Sequence, residues 1–71
     1  MILPITEDQA FMGVDKSYDM INRASTVDDM LKISSYVYIA QKQIGKFNNI
    51  EMQELIIEYE SKMISLIRGI K

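Results

Sequence analysis

The sequence predicts an all-α fold, a small three-helix arrangement with a central antiparallel helical hairpin. Three observations carry that expectation. Apolar residues recur in steps of three and four along two segments: Met30, Ile33, Val37, Ala40, Ile44 and Phe47, then Met52, Ile56, Tyr59, Met63, Leu66 and Ile70. Steps averaging about 3.5 residues keep a helix's apolar stripe turned toward a neighbouring helix. Each helical pattern is preceded by a recognisable start signal, and no run alternates apolar and polar residues in the manner of a strand.

The first helix is expected over residues 6–23. After Pro4 and Ile5, the run Thr6-Glu7-Asp8-Gln9 reads as a capping box: the Thr6 hydroxyl accepts from an early backbone N–H while Gln9 reaches back to the Thr6 amide. Glu7 and Asp8 stand where the helix dipole favours negative charge. The stripe that follows is Phe11, Val14, Tyr18 and Ile21, and Gly13 within it weakens the helix by up to about 1 kcal/mol relative to alanine.

A second helix is expected over 26–45, with Thr26 as N-cap and Asp28 and Asp29 in its first turn. The link is so short that it forces either an antiparallel return or a kink in one longer helix. Val27, Leu31 and Tyr38 lie beside the Met30–Phe47 seam and widen it. A helix this broadly apolar touches two neighbours, so the second helix should be central. Gly45 is expected to take the left-handed conformation that ends this helix, an asparagine of Asn48-Asn49 to cap the next, and Phe47 to cover the end of the hairpin.

The third helix is expected over 49–68, with Glu51 and Glu54 early and Lys62, Arg68 and Lys71 late, the order the dipole prefers. Glu58 and Lys62 form a favourable i,i+4 pair. At 1.5 Å per residue the second and third helices are each about 30 Å long, and their short connection makes them an antiparallel hairpin.

Composition narrows the function. Seventy-one residues form one small domain, 1–71, near the lower limit for a self-sufficient core, so oligomerisation or unusually good packing is expected to supply stability. With no cysteine there is neither a disulfide framework nor a thiolate metal site. With no histidine either, and only three scattered glycines, the chain lacks the usual bases, nucleophiles and phosphate loops. No enzyme activity and no cofactor are expected. Eight basic against ten acidic residues, with no block of either sign, argue against a nucleic-acid partner. A helix-turn-helix reading of the second and third helices would place Glu51 and Glu54 against phosphates. The start of the chain lacks a basic segment followed by a long apolar one, and no apolar run reaches membrane-spanning length. Neither a membrane nor a secreted location is expected, and the chain reads as cytoplasmic.

The candidate site residues are therefore apolar. Ile50, Ile57 and Ile64 are spaced by seven, opposite the main seam of the third helix, and face either the first helix or an interface. Ile39 lies on the otherwise polar side of the second helix. Met12 and Met20 fall off the stripe of the first helix, and flexible thioethers suit contact surfaces. Glu51, Glu54 and Glu58 read as a solvated acidic strip able to meet a basic partner, since di-iron bundles need helical histidines that are absent. Tyr36 and Tyr38 point to different sides of the second helix, which puts at least one at a rim.

The function expected from these features is that of a non-enzymatic helical protein–protein interaction module, self-associating through its apolar helix faces as a homodimer or larger homo-oligomer. The alternative is a small monomeric inhibitor or adaptor, phage-type or chaperone-like, that binds one larger protein; nucleic-acid binding is a distant third. A charge at Ile56, on the main seam, is expected to unfold the domain, whereas one at Ile57 should spare helicity and abolish association.

Overall fold

The computed structural model describes residues 5–69 as three helices: α1 (Glu7–Arg23), α2 (Val27–Gly45) and α3 (Asn49–Arg68). Their boundaries match the expected ones, with Thr6 and Thr26 serving as N-caps rather than first helical residues. Pro4, Ile70 and Lys71 lie outside the described residues.

Each start is built by side chains that satisfy orphan backbone donors. The Gln9 amide donates to Thr6 Oγ1 at 3.2 Å and the Thr6 amide donates to Gln9 Oε1 at 3.0 Å, completing the capping box. At α2 the Asp29 amide donates to Thr26 Oγ1 at 3.1 Å. The Asp29 carboxylate in turn accepts from the Ser25 amide at 3.1 Å and the Ser25 hydroxyl at 3.2 Å, bonds that hold its carboxyl below the usual range. Asn48 Oδ1 accepts from the amides of both Ile50 and Glu51, each at 3.1 Å.

The connection at residues 24–26 is a fold-back. Ala24, at φ −65° and ψ 132°, leaves the helix in an extended conformation, and α1 then packs against α2. The second connection departs from expectation. Gly45 does not adopt a left-handed conformation; it is the last residue of α2, and Lys46, at φ −72° and ψ −20°, caps the helix. Gly45 answers a spatial demand, because a Cβ there would stand 2.6 Å from Met52 Sδ of α3. Among the described residues the left-handed glycine is Gly69, which ends α3 at φ 71°.

As expected, α2 is the central element, packed against both α1 and α3. It sends Met30, Val37, Ala40 and Ile44 into the core, and α1 adds Val14 and Ile21. Phe47, Leu31 and Tyr38, expected to extend this seam, are instead largely exposed. The contribution of α3 also differs from expectation. Its fully buried residue is Leu55, off the expected line, while Ile56 is only half-buried at its edge. A seam drawn for α2 alone centres near Met52, Ile56 and Met63. The observed helix is rotated so that Leu55 points between both neighbours, leaving Met52, Met63 and Leu66 to flank it.

Tyr59 fixes that rotation. Its hydroxyl donates to the carbonyl of Met30 at 3.1 Å, a buried bond from α3 to α2. Its ring lies 6.3 Å from that of Tyr38, tilted by 56°. Burial, and then the neighbouring Tyr38, raise the Tyr59 hydroxyl above its ordinary pKa. Tyr59→Phe should therefore cost about 0.5–1.5 kcal/mol in urea unfolding, the usual net value of one such bond, without loss of helicity.

Small residues set the approach of α1 to α2. Ala10 and Ser17 of α1 are fully buried, and the Ser17 hydroxyl is satisfied by donating to the Gly13 carbonyl at 2.9 Å. A Cβ added at Gly13 would meet the Ala40 Cβ at 3.7 Å, ordinary van der Waals contact. Gly13→Ala should thus stabilise the protein by about 0.5–1 kcal/mol, seen as a Tm higher by several degrees.

Two ion pairs occur among the described residues, Arg23–Asp19 and Lys32–Asp28, both at 3.2 Å and both exposed. Such pairs contribute little. The expected Glu58–Lys62 pair does not form within salt-bridge distance, and Lys62 lies half-buried.

Candidate functional site

Two of the uncovered apolar surfaces among the described residues hold the candidate residues. The first is the outer stripe of α3. Because Leu55 and Tyr59 turn inward, residues about half a turn away must face outward. Ile50 is 71% exposed, Ile57 61% and Ile64 48%, so α1 does not cover them. Ile67, also exposed, widens the stripe at its C-terminal end. The i,i+3 step from Ile64 to Ile67 was the sequence signal for it.

The second surface is the groove between α1 and α2, on the side away from α3. One part of it, about 270 Å³, is lined by Met12, Gly13 and Lys16 from α1 and by Tyr36, Ile39 and Ala40 from α2. A further 310 Å³ continues it past Met20, Arg23 and Ala24 on one wall and Asp29, Lys32 and Ile33 on the other. The two helices are antiparallel, so ascending positions on α1 meet descending positions on α2, and the two hollows lie one after the other along the same seam.

Six candidate residues are thus placed in two groups. Met12, Met20 and Ile39 share the α1–α2 groove, with Met12 62% and Ile39 57% exposed and Met20 half-buried. Ile50, Ile57 and Ile64 form a separate group on α3. Tyr36 lines the groove and Tyr38 meets Tyr59 on the other flank of α2, so the two tyrosines do lie on different sides.

The acidic strip has a neighbour of its own. Glu51, Glu54 and Glu58 act on Tyr18 of α1, whose hydroxyl is raised above its ordinary pKa first by burial and then by these carboxylates. No group of three or more carboxylates among the described residues is arranged to hold a metal ion. No helix among them is long and apolar enough to cross a membrane.

No known protein family matches this chain, and neither does any curated protein or solved structure. Its functional reading therefore rests on surface chemistry.

Proposed function

We propose that the protein is a helical interaction module that self-associates through the outer face of α3. The observation supporting this reading is the exposure of Ile50, Ile57 and Ile64 at heptad spacing on one helix face. Isolated surface isoleucines are commonplace, but a line of three along about 21 Å of one helix is an interface pattern. Burying each would contribute on the order of 1–2 kcal/mol of apolar transfer before association entropy is met.

The shape of the chain supports the same reading. Its radius of gyration is 12.7 Å, against about 11 Å for a typical globular domain of this length. An elongated three-helix layer holds less core than a compact one, so a second copy supplies burial that the monomer lacks.

The test is the mass in solution, by light scattering on a size-exclusion column across a concentration series. The expected result is a species of two or more chains that dissociates on dilution. A mass of 8.2 kDa at every concentration would reject self-association and direct attention to a larger protein partner.

A further inference from the structure

We propose that self-association is head-to-tail: the isoleucine face of α3 in one copy seats in the α1–α2 groove of the next. This rests on the self-association reading above and adds which surface receives the stripe.

Length agrees first. The groove is lined along α2 from Asp29 to Gln43, a span of fourteen steps, and the stripe from Ile50 to Ile64 also spans fourteen steps, each about 21 Å at 1.5 Å per residue. A fourth helix laid there would complete a four-helix layout, with Met12, Met20, Ile33 and Ile39 as its apolar floor.

Charge decides between this contact and the simpler one of α3 against its own copy. Glu54 and Glu60 flank Ile57 at three residues either side, and so stand on opposite edges of the stripe. In a symmetric α3–α3 contact these acids would meet their own counterparts, with only Arg68 and the half-buried Lys62 on α3 to offset them. In the groove they meet opposite walls that each carry cations, Lys16 and Arg23 on α1 and Lys32 on α2. Asp29 is the one acid among the lining residues and keeps its charge, so three cations stand against one anion there. Lys16 forms no ion pair among the described residues, and the partners of Arg23 and Lys32 are exposed and weakly held. The head-to-tail arrangement therefore sets more opposite charges against these acids than the α3–α3 contact does. Such a contact is heterologous, and repeats into a ring or an open chain of copies.

The test is a mixing experiment with two surface variants. Ile57→Glu spoils the stripe and leaves the groove intact; Ile39→Glu spoils the groove and leaves the stripe intact. Circular dichroism verifies that both fold, and Met12→Glu replaces Ile39→Glu if the latter loses helicity. The expected result is that each variant alone is monomeric, while an equimolar mixture forms a one-to-one dimer that grows no further. If Ile39→Glu and Met12→Glu both associate as the wild type does while Ile57→Glu stays monomeric, α3 pairs with α3; the head-to-tail arrangement is then wrong and self-association through α3 survives. If neither groove variant binds Ile57→Glu, the arrangement is likewise overturned. A wild type that is monomeric at every concentration sinks both this inference and the reading beneath it.

Discussion

Leu55→Ala should unfold much of the protein under conditions where the wild type is folded. Leu55 is fully buried, and it belongs to the core cluster to which all three helices contribute. Truncating a leucine in such a place costs about 2–5 kcal/mol, the lost transfer energy plus the cavity left behind. A core of this size supplies only about 3–5 kcal/mol in total, so the deletion removes most or all of the margin. Far-UV circular dichroism during urea titration checks this: the expected variant has a strongly lowered midpoint or no folded baseline. Ile57→Ala is the control at a concentration where the wild type is dissociated, since an outward-facing residue changes the stability of the single chain by less than about 0.5 kcal/mol. Equal losses from the two variants would mean that α3 is rotated differently from the structure.

Ile57→Glu should reduce the protein to a monomer without altering its helical content. The residue is 61% exposed in the single chain, so the new carboxylate stays solvated there and costs the fold little. In the proposed interface it would lie at the centre of the stripe, desolvated and flanked by Glu54 and Glu60. Charges buried without a partner are strongly unfavourable, and substitutions at the centre of an interface commonly cost about 2 kcal/mol or more, some thirtyfold in affinity. Light scattering at a concentration where the wild type is associated gives the decision. Undiminished association would show that α3 is not the contact surface, whatever the stability of the variant. Ile56→Glu is a useful companion: half-buried at the core edge, it should destabilise the fold less than a charge at Leu55 would.

Much of this architecture was legible in the residues because it is set locally. The caps at Thr6, Thr26 and Asn48 follow from side-chain oxygens placed two or three residues before free backbone donors, a relation contained within one turn. Ile50, Ile57 and Ile64 were likewise readable as a line opposite the main seam, although only the structure decided that α1 leaves them exposed. What misled for α3 was a seam drawn against one neighbour, which centred that helix on Ile56 instead of Leu55. The α2 seam was carried on to Phe47, past the end of the helix, and that residue is largely exposed. Gly45 illustrates the same limit. A glycine after an apolar run suggests a left-handed stop, yet here the residue is small because Met52 of another helix passes close by.

The sequence by itself determined three helices, their starts, and which side chains are apolar at which angle, since hydrogen bonding and periodicity within a helix depend on neighbours a few positions apart. Only the tertiary structure decided the rest. It folded α1 back on α2 at Ala24, turned Leu55 and Tyr59 inward, and joined Met12 and Met20 with Ile39 in one groove. Helix rotation and pairing come from contacts between side chains far apart in the chain, and a surface shared by two helices exists only once both have been placed.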